Sequence, residues 1–349
     1  YSAIVLNGFK MREDSLPNGT EERQSDILDL LAVGTPLFKG LVNRNKISWR
    51  YLVDCWGLGL TSNSKQQLVD LCGEKLTALG LLNMPSAKSF KKSTSPSFIN
   101  QDDKTLNMEY IRLGADPASN PAFRYTFGQG KGQSNVAYFF PFCTISDNSR
   151  PTDVPPSMFV ANTFLRKHTS RLASVKPWTV AAGITNGLVT GIGNVEMDFT
   201  NEDIEQLNLM NANPLVFKMN RGFVIETDNT AQLSPRSALS YTHVREVLIE
   251  LENEMYEMWL TYQWRFNTRE VRAEIKANAD RICERYVREN GLFAFENVMD
   301  ESNNTPDIID AQIGVIDTFV EPIKAMGVIV NNVTVLKTGD IAAGGFRDV

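Results

Sequence analysis

Trp49-Arg50-Tyr51-Leu52-Val53-Asp54-Cys55-Trp56 decides the fold. The run is strand-sized, rich in aromatic and β-branched residues, and reads as a buried strand. Ser64 to Leu79 follows as a helix, with Leu68, Leu71, Leu76 and Leu79 on one side. A strand followed by a helix is the unit of a parallel sheet. Gly80 to Pro85 is then the next strand and the polar run Ser86 to Asp103 a surface excursion. Asn135 to Pro141 is a further strand, and Arg150 to Pro156 a Pro-rich loop. A helix is expected near Ser157, where Met158, Val160, Ala161, Phe164 and Leu165 follow at helical spacing. The alternation persists to about residue 216, and Thr200 caps a short helix.

Working outward, residues 1–45 carry a short apolar strand, Ile4 to Leu6, and a polar stretch ending in a helical pattern at Asp26 to Leu31. This is expected to be the remnant of a preceding or peripheral domain. Residues 46–217 form the α/β domain. A second domain, α+β, is expected over 218–338: a strand at Gly222 to Glu226, then long helices from Thr242 to about Gln263 and from Asn267 to about Asn290, with Gly291 as the stop signal. The first long helix carries Val244, Val247, Leu248, Leu251, Met255, Met258 and Trp259 on one side. Glu246, Glu250, Glu254 and Glu257 lie opposite, an acidic outer face. Gly291 to Met299, Gln312 to Val320 and Ile329 to Leu336 are strands, and residues 339–349 a glycine-rich terminal arm.

Composition sets limits on function. The 349 residues are 42% hydrophobic and 22% charged, a globular profile. The net charge of −6 opposes direct nucleic-acid binding, which needs a basic surplus. The longest apolar runs are too short to span a bilayer, so no membrane insertion is expected. Cys55, Cys72, Cys143 and Cys283 show no paired spacing and read as buried free thiols. His168 and His243 are the only histidines and lack a second ligand at metal spacing, so no metal or cofactor is expected. There is no GxSxG elbow for a hydrolase. Gly128 to Ser134 breaks the frame of a phosphate loop and reads as a flexible glycine loop. No catalytic residue is expected, and the chain reads as a non-enzyme.

Several segments resemble, in order and spacing, the contractile tail sheath family across roughly residues 46–338. Trp49 to Gly57 resembles its strand before the first helix. Pro155-Pro156-Ser157-Met158-Phe159-Val160-Ala161-Asn162 resembles a helix start in which Asn stands where Gly is usual. Trp178 to Gly187 and Leu207 to Leu215 are similar to the segments that follow. Arg221 to Thr230 holds the place of a strand motif but lacks its Trp-Gly pair. Leu239 to Arg245 resembles the entry into the long helix, and Asn303 to Asp310 and Phe319 to Ala325 resemble the final motifs.

This resemblance implies a subtilisin-like α/β domain without catalysis, followed by an α+β sheath domain with two long helices. It implies a structural subunit that polymerises helically around a tail tube and contracts to drive the tube through a host envelope for genome ejection. Its partners would be further copies of the chain, the tail tube protein, and baseplate and tail terminator proteins. Its place would be the virion tail, assembled in the host cytoplasm. The sheath of a bacterial contractile injection system or bacteriocin is the alternative, and a subtilisin-like hydrolase a distant one. Arg281, Arg285 and Arg288 recur on one helix face and are the tube-contact candidates. Glu246, Glu250, Glu254 and Glu257 are the candidates for an intersubunit acidic face. Gly339, Ile341, Phe346 and Val349 belong to the arm expected to exchange strands with a neighbour.

Overall fold

The computed structural model describes residues 3–6, 31–55, 62–84, 133–147, 150–170, 172, 174–209, 211–232 and 236–327. Trp56, Gly57, the Asp26 to Leu30 stretch, Gly128 to Gly132, the Ile329 to Leu336 strand and the arm residues Gly339, Ile341, Phe346 and Val349 lie outside them.

The elements run in order β1 (Ala3–Leu6), α1 (Pro36–Val42), β2 (Tyr51–Asp54), α2 (Ser62–Lys75), β3 (Leu79–Asn83), β4 (Val136–Phe140), β5 (Cys143–Asp147) and β6 (Arg150–Val154). They continue with α3 (Ser157–Thr169), α4 (Gly183–Asn186), β7 (Leu188–Val189), β8 (Asn194–Val195), α5 (Asn201–Leu209), β9 (Ala212–Lys218) and β10 (Gly222–Ile225). The last are α6 (Thr242–Tyr262), α7 (Arg269–Arg288), β11 (Leu292–Val298), α8 (Pro306–Asp310) and β12 (Asp317–Pro322).

Seven strands form one sheet in the order β1-β2-β3-β4-β9-β10-β7. The pairings from β1 to β9 are parallel, while β9–β10 and β10–β7 are antiparallel. The parallel strands β2, β3 and β4 are buried at every position, which is why they read as continuous apolar runs. Alternate side chains feed two cores. Leu52, Leu82, Val136, Tyr138 and Phe140 pack with Leu68, Leu71 and Cys72 of α2. Tyr51, Val53, Leu79, Leu81, Ala137 and Phe139 pack with Val160 and Phe164 of α3 and Ile249 of α6. A third core joins Val247, Leu251 and Met255 of α6 to Ala279, Cys283 and Tyr286 of α7 and Leu292 of β11. Helix α6 is therefore the wall shared by the sheet and the antiparallel pair β11–β12.

Four sequence expectations change. Helix α2 ends at Lys75; Leu76 takes a left-handed φ of 59° and is exposed, and Leu79 begins β3. The expected loop at Arg150 is strand β6, paired along its length with β5. The change of texture after Lys218 falls inside the β9–β10 hairpin, so the chain still adds strands to the sheet there. Helix α7 is terminated by Asn290, with φ 58°, while Gly291 serves close packing: a Cβ there would lie 3.1 Å from Trp178 Nε1.

Sheet packing is equally tight at Gly80, where a Cβ would lie 2.8 Å from Val136 Cγ1 and 3.0 Å from Cys72 Sγ. Gly80→Ala is expected to cost about 1–3 kcal/mol, read as a lower denaturation midpoint with unchanged slope. An unchanged midpoint would show that β3 and β4 have room to separate.

Candidate functional site

Helix α6 enters the molecule as a helix buried on all sides: Thr242 to Val247 are covered, as are Ile249, Glu250 and Leu251. Such a helix needs partners for every charge it carries inside. Glu246, fully buried, receives an ion pair from Lys167 of α3 and a hydrogen bond from Tyr51 Oη of β2 at 2.5 Å. Glu250 Oε1 lies 3.0 Å from Arg50 Nη1, and Arg50 Nη2 donates to the Glu246 carbonyl at 3.3 Å. His168 Nε2 is 2.7 Å from Tyr51 Oη and His168 Nδ1 is 3.7 Å from Glu250 Oε1. Because the tyrosine proton goes to Glu246, its oxygen accepts from Nε2–H, which sets the tautomer of His168.

Two cations and two carboxylates balance in this cluster. Burial, reinforced by Arg50 and Lys167, lowers the His168 pKa to about 3, since a proton there would add a third positive charge in a site closed to water. Burial raises the Glu250 pKa against the opposing pull of Arg50. Tyr51 and His168 are hydrogen-bonded and Glu250 lies beyond them at ion-pair distance, but each side chain is almost wholly enclosed, so no substrate reaches it.

A second polar knot closes the sheet ends where an α/β hydrolase would carry its machinery. Asn83 N donates to Asp54 Oδ2 at 3.1 Å, Asn83 Nδ2 to the Asp54 carbonyl at 2.5 Å, and Ser157 N to Asn83 Oδ1 at 2.8 Å. Ser157 Oγ donates to the Asp54 carbonyl. The hydroxyl is spent on backbone and fully buried, and neither histidine joins it. These contacts fasten the start of α3 to β2 and β3.

The expected acidic outer face of α6 is therefore corrected. Glu246 and Glu250 are internal, because the first half of the helix packs on the sheet beside α3, and cannot form an intersubunit surface. Glu254 is half-buried in an ion pair with Arg285, and Glu257 alone of the four is exposed. On α7, Arg281 and Arg288 are exposed, Arg281 bonding Asn278, while Arg285 is engaged by Glu254. Sequence reasoning gave no role to Arg50, Tyr51 or Lys167 and weighed His168 only as a metal or catalytic ligand; the one signal was charge and imidazole placed beside strongly apolar runs.

At the α6–α7 turn a cleft of about 750 Å³ is lined by Trp259, Tyr262, Trp264, Phe266, Arg272 and Ile316. Trp264 is 91% and Phe266 88% exposed. Among the described residues no cluster of His, Cys, Asp or Glu could hold a metal ion, and no helix is long and apolar enough to cross a membrane. Burial pushes the Cys55 and Cys143 thiols up to about 12, away from reactive thiolates.

No family model matches the chain. The tail sheath protein of Vibrio phage KVP40 is 24% identical over 232 residues, 66% of this chain and 34% of that protein. The chain thus spans about a third of the length of the curated relative it matches. In fold, it is similar to a chain of the anti-feeding prophage baseplate in the contracted state, with TM-score 0.66 and 14% identity over 91% of this chain and 77% of that one. It is also similar to the contracted sheath of the PVC extracellular contractile injection system, with TM-score 0.61 and 16% identity over 82% and 71%. The sheath tail protein of Listeria innocua matches at TM-score 0.51 and 8% identity over 81% and 58%. The resemblance to contractile tail sheaths read from the sequence is found again in a curated relative and in sheath structures.

Glu246→Gln is expected to cost about 3–5 kcal/mol, since it leaves Lys167 unpaired in the interior, whereas Glu257→Gln stays within about 0.5 kcal/mol. Equal, small effects would mean the cluster is open to water. The His168 pKa is depressed in the folded state from about 6.5 in the unfolded one, so its contribution is full above about pH 6.5 and lost as pH falls toward 3. The stability of wild type to denaturant should fall as pH is lowered through that window, and His168→Gln should flatten the slope. An equal slope in the variant would contradict a neutral buried His168.

Proposed function

We propose that the chain is a structural subunit of a contractile tail sheath, a helical polymer around a tail tube that contracts to drive the tube through a host envelope. The observation that carries this reading is the mixed α/β fold, shared with contractile sheath proteins over most of the chain, together with sequence similarity to a phage tail sheath protein. A phage virion tail is the favoured setting because the curated relative belongs to a phage. A sheath of a bacterial injection system has the same physical requirements.

The parallel sheet covered by α1 and α2 on one face and by α3 and α6 on the other supports a subtilisin-like reading of the first layer. The enclosed Asp54–Asn83–Ser157 knot argues against a hydrolase, and absence of labelling by a broad serine-reactive probe is the expected outcome. Residues 46–217 as the α/β domain and 218–338 as the α+β domain remain our division by composition, with the β9–β10 hairpin crossing it.

A scaffold of this kind does its work through subunit contacts. Tube contact is assigned to the exposed guanidinium groups of Arg281 and Arg288, with Arg285 supporting the helix pair through Glu254. Exposed ion pairs are worth about 0.2–1 kcal/mol each, weak enough to release together and strong enough in number to hold an extended state. Strand exchange by residues 339–349, with Gly339, Ile341, Phe346 and Val349, supplies links between copies. Baseplate and terminator proteins cap the ends of the polymer.

Negative-stain microscopy of the full-length protein should show hollow striated tubes; uniformly monomeric particles under all assembly conditions would sink the reading. Arg281→Glu with Arg288→Glu should keep the melting temperature and give sheaths empty of tube. Normal extended sheath around tube would remove these two residues from the contact.

A further inference from the structure

His243, in the first turn of α6, lies between two acceptors on different parts of the chain. Its Nδ1 meets Asp228 Oδ2, and its Nε2 lies 3.2 Å from the carbonyl oxygen of Ile323, just past β12. The Asp228 carboxylate is held in place at the helix start: it accepts from Thr242 Oγ1, and from the His243 backbone N–H at 3.2 Å. Thr242 N also donates to the Asp228 carbonyl at 3.1 Å. An imidazole flanked by two oxygens that only accept satisfies both when both ring nitrogens carry protons.

We propose that His243 is a proton-controlled clasp: as an imidazolium it ties the chain leaving β12 to the start of α6, and on losing its proton it lets that chain go. A neutral ring keeps one N–H. The charge-assisted bond to Asp228 is the stronger claim on it, so the Nε2 lone pair is left facing the Ile323 oxygen. The contact that fails is the one holding residues 323–327.

The surroundings agree. Burial alone would lower the His243 pKa, but the hydrogen bond and charge of Asp228 and the Ile323 carbonyl outweigh it, and the net direction is upward. Lys167 of α3 opposes the proton and is itself paired with Glu246. Tyr241, before the helix, stacks obliquely at 5.9 Å. On the β12 side, Glu321 and Lys324 flank Ile323 and are exposed, and Ile323 N donates weakly to the Gly291 carbonyl at 3.4 Å. Beyond this clasp, residues 324–327 are exposed, so Ile323 is where the described chain is last fastened. The inference does not depend on the sheath reading, because every group in it lies within one subunit.

The test is hydrogen exchange of the full chain, followed in peptides covering Phe319–Gly327 and corrected for intrinsic rate, alongside nitrogen-15 spectra of the two imidazoles. At about pH 6 His243 should carry two ring protons and the peptides should be protected; above its titration their exchange should speed by roughly tenfold. Asp228→Asn should move the midpoint of that change to lower pH, which a merely structural role would not do. His243→Gln should show the fast exchange at every pH. One ring proton on His243 at about pH 6 would overturn the proposal, as would exchange at 319–327 that ignores its titration. Should either variant fail to fold, the wild-type pH series decides alone.

Discussion

The carboxylate of Glu246, carried by α6 into a fully buried site, is the constraint on which the arrangement depends. Desolvating it alone would cost several kcal/mol, so the sequence must deliver a cation and a hydroxyl to the same point. Lys167 comes from α3 and Tyr51 from β2, while Arg50 and Glu250 form the adjoining pair. An apolar replacement of the whole cluster could be as stable, since buried ion pairs roughly break even against packed hydrocarbon. What the charges add is a single register of helix against strand, because a shift of one residue would strand each of them.

That register reaches the rest of the molecule through α6. Ile249 faces the sheet, and Val247, Leu251 and Met255 face α7 and β11. Trp178, against Tyr286 at 4.8 Å and donating to the Glu289 carbonyl at 3.4 Å, adds a second tie between the loop after α3 and the end of α7. In the sheath proposed above, a subunit would have to keep its shape while its neighbours move. Rigid cores and weak surface contacts divide those two tasks.

The sheet strands were legible because β2, β3 and β4 are covered on both faces and need uninterrupted apolar residues, and the long helices because their repeats span several turns. The pairing of β5 with β6 was hidden by Pro151, which sits in a short strand instead of breaking it. The boundary at Leu76 was hidden because a leucine, rather than a glycine, takes the left-handed position. The inner face of α6 was misread because spacing separates glutamates from leucines without saying which side meets protein. With the first half of the helix covered all round, both sides do, and only the partners Arg50, Lys167 and His168, far off in sequence, give the glutamates away. The burial of His243 beside Asp228 was equally invisible, since it joins residues 15 and 80 positions away in sequence.

The most direct measurement of the central claim, a rigid subunit keyed by the α6 cluster within a sheath that changes state, is cryo-electron microscopy of full-length sheaths before and after contraction. Superposing the subunits on β2, β3 and β4 should leave α6 within about 1 Å of its place, with the Tyr51–Glu246 and Arg50–Glu250 contacts intact while contacts between copies change. A helix α6 that shifts by a turn or parts from Arg50 and Lys167 between the two states would contradict the account.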